Sequence, residues 1–115
     1  MAKYDAHVSG DFGKIVEFIH KELWEQSTSI SLEEQFRKTV AGKQVEMRVY
    51  ERYSYMGGNR ASLSVLFIEN GDGVDICGAA TGGSNAVFWK INTFGESAFL
   101  ETLEIAVSAW NRQKP

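Results

Sequence analysis

The segment Arg48-Val-Tyr-Glu-Arg-Tyr-Ser-Tyr-Met-Gly-Gly-Asn-Arg60 is the most informative part of this chain. It gathers three tyrosines and three arginines around a Gly-Gly turn, between stretches whose apolar residues alternate as they do in β-strands. Alternation places every second side chain on the same face of a sheet. We therefore predict a β-hairpin with an apolar core face and a chemically distinctive outer face.

The register of this hairpin depends on the length of its turn. A two-residue loop at Gly57-Gly58 would pair Arg48 with Phe67 and mix charge into the apolar face. A three-residue loop pairs Val49 with Val65 and keeps the two faces separate. Because a one-residue slip moves every side chain to the other face, we predict the second register. The predicted outer face then carries Arg48, Tyr50, Arg52, Ser62 and Ser64.

This outer face suits an anionic small ligand. Arginine binds carboxylate or phosphate through two parallel hydrogen bonds, and tyrosine and serine hydroxyls add directional ones. The alternative is structural. Arg48 and Arg52 would then pair with acidic residues such as Glu46 on a solvated sheet, and cross-strand Tyr and Ser pairs are ordinary sheet stabilisers.

The glycine-rich turn at residues 82–85, between two predicted strands, is a second candidate anion site. Successive backbone N–H groups in such a turn can form a nest that binds an anion. The turn lacks the Lys-Ser/Thr ending of a Walker loop and the spacing of a dinucleotide fingerprint. A turn between two strands also needs no ligand. The residues of this candidate site are Gly82, Gly83 and Ser84.

The N-terminal part of the chain predicts a strand, a helix and a short strand. Residues 3–9 alternate as a half-buried strand. An apolar stripe with helical spacing then predicts an amphipathic helix, capped by Asp11 and ending near Gln26. Residues 30–32 alternate again, whereas residues 33–42 fit either a helical turn or a loop.

The C-terminal part predicts further strands and a second helix. Asn70-Gly71-Asp72-Gly73 is a strong hairpin signal, because these residues tolerate the positive φ of tight turns. Residues 87–91 alternate and predict a final strand. Thr93 and Glu96 match a capping box, in which the two side chains satisfy N–H groups at the start of a helix.

Together these elements predict one α+β domain over residues 1–115. Consecutive strands with short connections form an antiparallel sheet. We expect two layers, with five or six strands and two helices packed on one face, in the order β-α-β-β-β-β-β-α. The helices are expected to contribute Phe12, Ile15, Ile19, Leu23, Phe99, Leu103 and Trp110 to the core.

Composition argues against several classes of protein. The net charge is −3 and no basic run occurs, which disfavours nucleic acid as a partner. No apolar run is long enough for a membrane span, and the N-terminus lacks the apolar core of a signal peptide. We therefore expect a cytoplasmic protein that does not bind membranes. The single cysteine, Cys77, and two isolated histidines form no metal-ligand set, and no cofactor is expected.

No catalytic set can be assembled from the sequence. A nucleophilic Cys77 would need a nearby base to lower its pKa, and no Gly-x-Ser-x-Gly elbow is present. Glu51 falls on the predicted core face, where a carboxylate must be paired or lie at the rim. We therefore name no catalytic residue and expect a protein that is not an enzyme.

Two segments carry a resemblance to a known family. They are the tyrosine–arginine segment quoted first and Gly82-Gly-Ser-Asn-Ala-Val-Phe-Trp-Lys-Ile-Asn-Thr-Phe-Gly-Glu96. Over essentially its whole length the chain resembles a family of small bacterial proteins, mainly from Gram-positive organisms, whose domain has no known function. The resemblance implies a stand-alone cytoplasmic domain and supplies no ligand or catalytic residues.

The sequence therefore leaves three functional hypotheses, of which an enzyme is the least favoured because no nucleophile–base or metal-ligand set can be assembled. The first is a non-enzymatic domain that binds a small anionic or amphiphilic ligand, on the outer face or in a cavity between sheet and helices. The second is a protein–protein or homodimer module that uses the exposed sheet face, since Tyr, Met and Arg are enriched in interfaces.

Overall fold

The computed structural model of the chain describes residues 2–53, 60–82 and 89–113. Within these ranges the chain forms one antiparallel sheet of five strands and two helices, which confirms the predicted α+β class. In chain order the elements are β1 (Ala2–Ser9), α1 (Phe12–Glu25), β2 (Ser31–Val40), β3 (Lys43–Tyr53), β4 (Arg60–Asn70), β5 (Gly73–Thr81) and α2 (Trp89–Gln113).

The strands follow the order β1-β5-β4-β3-β2 across the sheet. Strands β2 to β5 are consecutive neighbours, and β1 pairs antiparallel with β5 at the far edge. Because β1 and β2 lie at opposite edges, α1 must carry the chain across the sheet. Its 14 residues span about 21 Å, close to the roughly 19 Å between the outer strands of a five-stranded sheet.

Both helices pack on the same face of the sheet. At the start of α1, the carboxylate of Asp11 accepts a hydrogen bond of 3.0 Å from the backbone N–H of Lys14, which confirms the predicted N-cap. The core joins the apolar stripes of both helices to the covered face of the sheet. All the helix residues predicted for this core are buried: Phe12, Ile15, Ile19, Leu23, Phe99, Leu103 and Trp110.

Strand alternation gives the sheet two different faces. The helix-facing face carries the even-numbered residues of β1, β3 and β5 and the odd-numbered residues of β4 from 61 to 67. The open face carries the other residues of these strands, together with the even-numbered residues of β2 from 34 onward. No helix of the described ranges is long and apolar enough to cross a membrane.

Residues 33–42, which fit two interpretations in the sequence, form most of β2 and its turn into β3. Val40 pairs with Lys43, so the turn has two residues, Ala41 and Gly42, with φ of 52° and 79°. Two positive φ values describe a type I′ hairpin turn. Alanine rarely adopts this conformation, which explains why the sequence carried no turn signal here.

The predicted register of the central hairpin is wrong by one residue. Strands β3 and β4 pair Tyr53 with Arg60 and Arg48 with Val65. The connection is therefore residues 54–59, which lie outside the described part of the chain. Because of the slip, the even-numbered residues of β3, including Tyr50, face the helices instead of solvent.

The predicted final strand is also wrong where it can be compared. Trp89 and Ile91 belong to α2, while Val87 lies outside the described residues. Thr93 therefore lies within α2 and is not its N-cap residue. Apolar residues at alternate positions occur in both strands and buried helices, so the short 87–91 pattern did not distinguish them.

The hairpin predicted from the Asn-Gly-Asp-Gly sequence is confirmed. Asn70 pairs with Gly73, and Gly71 has a φ of 61°. Glycine is required at position 73 for a different reason. A Cβ atom there would overlap the carbonyl oxygen of Val8 and the Cα of Ser9, because the backbones of β1 and β5 approach closely.

We expect Gly73→Ala to destabilise the fold by about 2–3 kcal/mol, since backbone atoms of β1 must move to admit the methyl group. The matched control is Gly71→Ala. That position has nothing within 4 Å of an added Cβ, so only its positive φ opposes the change, at about 1 kcal/mol. Urea unfolding followed by circular dichroism measures both. Equal losses for the two variants would contradict the close-approach argument.

Candidate functional site

Strand β3 carries polar side chains into the protein interior. On its helix-facing face, Glu46, Arg48 and Tyr50 retain 0%, 4% and 0% of their exposed surface. Apolar residues of β4 lie directly opposite them. Helix α1 adds two further polar side chains, Glu17 and His20, from the other layer. We refer to these five residues, of which Glu17 is exposed and His20 is half-buried, as the buried polar cluster.

The guanidinium of Arg48 holds the buried polar cluster together. Its Nε donates to Oε2 of Glu46 at 2.6 Å, and its Nη2 donates to Oε2 of Glu17 at 3.1 Å. Glu46 receives two more hydrogen bonds from β2: Arg37 Nε donates to Oε1 at 2.6 Å and Gln35 Nε2 to Oε2 at 3.0 Å. In the described residues, every buried side-chain nitrogen and oxygen has a hydrogen-bond partner.

These hydrogen bonds keep the central pair ionised. Burial alone would raise the pKa of Glu46, but the hydrogen bonds from Arg48 and Arg37 outweigh it and lower that pKa. Burial alone would lower the pKa of Arg48, but its bonds to Glu46 and Tyr50 raise it. Burial also raises the pKa of Tyr50 to about 12, so this phenol stays neutral.

His20 closes the cluster on the side of α1. Its Nδ1 and the Tyr50 hydroxyl are hydrogen-bonded at 2.8 Å, and its ring lies 5.1 Å from that of Trp24. Burial, and then the positive charge of Arg48, lower the pKa of His20. The imidazole is therefore held in its neutral form next to a buried cation.

The structure separates the residues of the predicted outer-face site. Arg48 and Tyr50 are interior, and the guanidinium of Arg48 already contacts two carboxylates. Arg52 lies on the same helix-facing face, with its guanidinium carbon 4.6 Å from the ring centroid of Phe99. The expected Arg48–Glu46 pair therefore exists, but it is buried and not solvated. The two serines lie on the opposite, open face: Ser62 and Ser64.

The second predicted site falls largely outside the described residues. Gly82 is described, directly after the end of β5, whereas Gly83 and Ser84 are not. A backbone nest at this turn remains a prediction.

Sequence reasoning selected the wrong buried carboxylate. Glu51, expected on the core face, lies half-buried on the open face, where it contacts Arg60 at 2.7 Å. The buried carboxylate is Glu46. The spacing of Glu17 and His20, three residues apart on a helix and beside its apolar stripe, was the signal that could have revealed polar partners for β3.

The open face of the sheet carries a continuous apolar patch. The register aligns side chains from four strands in one row, in which Phe36 neighbours Met47, Met47 neighbours Leu66, and Leu66 neighbours Cys77. We refer to the following residues as the open-face patch: Phe36, Val45, Met47, Val49, Leu66, Ile68, Cys77 and Ala79. Charged residues border it on both edges: Lys3, Asp5, Asp75, Glu34 and Lys38.

A groove of about 560 Å³ lies on this open face. Small side chains, Ser64, Cys77 and Ala79, occupy neighbouring positions in the middle of the sheet, and the larger Met47 and Leu66 stand beside them. Because the small side chains are shorter than the large ones beside them, the surface of the sheet is depressed there and forms the groove. Two charged residues of β1 complete its border: Lys3 and Asp5.

Two potentially reactive side chains, Cys77 and His7, lie on the open face. Burial and the neighbouring Asp5 raise the pKa of Cys77, so its thiol is not activated as a nucleophile. His7 is hydrogen-bonded to Asp72 and Asp75, at 3.1 and 2.7 Å. In the part of the chain that the structure describes, no three potential ligands are grouped to hold a metal ion.

Comparison with known proteins supplies a family and no activity. The model of a family of unknown function (DUF6054) matches residues 1–111. No curated protein matches the chain. The match covers nearly the whole chain and confirms the resemblance to a family of unknown function, but it shows neither a bacterial nor a Gram-positive origin and assigns no activity.

We expect Glu46→Gln to destabilise the protein by about 3 kcal/mol, because it leaves the buried Arg48 without its closest counter-charge. The control is Glu101→Gln on the exposed side of α2, which should change stability by less than about 0.5 kcal/mol. Urea unfolding measures the difference. Equal stability of the two variants would show that the buried pair contributes little to folding.

His7 and His20 should contribute to the free energy of unfolding with opposite dependences on pH. His20 has a pKa below its usual 6.5, so the unfolded chain binds its proton first and stability is lost as pH falls through and below that value. Hydrogen bonds to Asp75 and Asp72 raise the pKa of His7, so its contribution is complete below 6.5 and is lost as pH rises through the raised value.

The test is the urea midpoint measured between about pH 5 and pH 8 for the wild type, His7→Gln and His20→Gln. The difference between wild type and His20→Gln should grow towards higher pH, and that for His7→Gln towards lower pH. The same slope for both variants would contradict these assignments.

Proposed function

We propose that this chain, which belongs to the family of unknown function DUF6054, is a non-enzymatic domain that binds a small amphiphilic ligand on the open face of its sheet. The observation that carries the proposal is the groove of about 560 Å³ on that face. Its volume lies in the range of small-molecule sites, which are mostly apolar and contain a few polar groups that orient the ligand.

The lining of the groove indicates the chemistry of the ligand. Met47, Leu66 and Ala79 offer an apolar surface that suits a hydrocarbon or aromatic body. Ser64 offers a hydroxyl within this surface, and the border offers a cation at Lys3 beside the carboxylate of Asp5. A ligand with an apolar body and an anionic or polar head satisfies both parts, whereas a small fully charged anion would gain nothing from the apolar floor.

The buried polar cluster supports this choice of face. Arg48, the arginine first expected to bind an anion, is 4% exposed and is held by Glu46 and Glu17. A ligand could reach its guanidinium only by displacing these carboxylates, which would leave buried charges unpaired. Binding on the open face requires no such rearrangement.

Two fluorescent probes with similar aromatic bodies test the proposal, the anionic anilinonaphthalene sulfonate and the neutral phenylnaphthylamine. We expect both to bind the native protein saturably. Ala79→Leu fills the floor of the groove and should weaken both probes about tenfold or more, as steric exclusion from a shallow site would. Lys3→Gln should weaken only the sulfonate, by about three- to fivefold, as expected for one partly solvated charge contact.

The control is Lys21→Gln, which removes an exposed lysine from α1 in the other layer and should affect neither probe. Thermal unfolding by circular dichroism verifies that each variant is folded, since these dyes also bind partly unfolded protein. If Ala79→Leu binds both probes as tightly as wild type, the groove is not the binding site.

A further inference from the structure

The open face is unusual among the surfaces of this protein in how much apolar area it exposes. Six large apolar side chains are exposed in the described residues. Two of them, Trp24 and Ile105, lie on the helices. The other four belong to the open face of the sheet: Phe36, Val40, Met47 and Tyr53. A contiguous exposed apolar surface with a charged border is typical of a protein interaction site.

The size of this face matches an interface with a partner of similar shape. Five strands at about 4.8 Å spacing and about nine residues of about 3.3 Å give a face of roughly 600–700 Å². A standard protein–protein interface buries about 800 Å² on each partner. A small ligand in the groove would leave most of Phe36 and Val40 exposed, so the ligand alone does not account for the whole face.

We propose that the face is covered by a second copy of this chain, with the two open faces packed together and the two-fold axis parallel to β4. Packing of two sheets with nearly aligned strands is a common geometry, with strand directions within about 30° of each other. An interface with two-fold symmetry must be complementary to itself. The charges at the border of the patch meet this condition.

Rotation about this axis places each strand over the strand of the partner subunit that lies equally far from β4 on the other side. Residues that share a row of paired positions across the sheet remain in that row. Lys3, two strands from β4 on one side, therefore lies over Glu34 of the partner subunit, two strands from β4 on the other side. This contact occurs twice by symmetry. At the level of Asp75, the same axis places His7, which is hydrogen-bonded to Asp72 and Asp75, over Lys38 of the partner subunit.

The other in-plane axis, perpendicular to the strands, is disfavoured by Asp5. With the central row of the patch as the centre of symmetry, it would place β1 over β1 and set Asp5 against Asp5 of the partner subunit. It would also place Glu34 over Lys38 of the partner subunit, so the two axes differ mainly at Asp5. Like charges facing each other across an interface are costly, so the facing Asp5 carboxylates favour the axis parallel to β4.

This inference goes beyond the proposed function and does not rest on it, because it concerns the ligand-free protein. In the dimer, strand β2 of one subunit lies over strand β1 of its partner. It therefore covers the part of the partner subunit's groove that borders β1. The two proposals are tested separately, the first by probe binding and the second by molecular mass.

The first experiment measures the mass of the ligand-free full chain by light scattering and sedimentation over a wide range of concentration. We expect a monomer–dimer equilibrium. Met47→Asp, in the middle of the patch, should abolish the dimer, and Ile105→Asp, an exposed apolar position on α2, should leave it unchanged. A monomer at every concentration, or a Met47→Asp variant that still forms the dimer, would overturn the proposal.

The second experiment tests the axis with Lys3→Glu and Glu34→Lys. Each variant alone should dimerise roughly tenfold more weakly than wild type, because like charges then face each other at two symmetric positions. An equimolar mixture should recover the wild-type affinity, since the heterodimer restores opposite charges at both positions. A mixture no tighter than its separate components would overturn the proposed axis.

The mixing experiment does not depend on how each substitution affects folding. Both variants are present in the mixture at the same concentrations as in their separate samples. A recovered dimer therefore reports complementarity between the two surfaces and not a change in stability.

Discussion

The ion pair between Glu46 and Arg48 determines how β3 lies in the sheet, and most other features follow from that orientation. Both side chains point towards the helices and are almost completely buried. A charge removed from water is tolerated only when it is paired and hydrogen-bonded. The carboxylate of Glu46 meets this condition through three donors on β2 and β3, and Arg48 meets it through Glu46 and Glu17.

The same orientation places the apolar residues of β3 outside. Strand β3 alternates between a polar set and an apolar set, and a one-residue change of register would exchange them. With Glu46 and Arg48 inside, Val45, Met47 and Val49 lie on the open face and join the apolar residues of β4 and β5. The buried polar cluster and the open-face patch are therefore the two sides of one strand.

Local features of the fold were predictable from the sequence, whereas the orientation of β3 was not. The helical stripe after Asp11 and the Asn70–Gly73 hairpin each depend on a few neighbouring residues, and both were predicted correctly. The register of β3 depends on partners far away along the chain. Glu17 on α1 and Arg37 on β2 make the buried carboxylate and guanidinium tolerable, and no periodic pattern within β3 reveals them. The pattern of β3 alone therefore favoured the opposite face.

The predicted exposure of the candidate site residues was wrong for the same reason. Arg48 and Tyr50 were selected because arginine and tyrosine on an exposed face suit anion binding, but the exposure itself was the incorrect premise. Once the register is known, the apolar residues that reasoning had assigned to the core become the surface that requires an explanation. Sequence patterns that conflict with the observed fold tend to mark functional or strained positions.

The alternation of polar and apolar residues in β3 also indicates that the open-face patch is not a simple by-product of folding. If stability alone governed β3, burying Val45, Met47 and Val49 and exposing Glu46 and Arg48 would avoid the desolvation of two charges. The observed arrangement instead needs matched partners on two other elements, β2 and α1, to keep those charges inside. A chain that maintains this arrangement retains an apolar face towards solvent. The proposed binding to that face, by a ligand or by a second copy, would compensate for the less favourable interior.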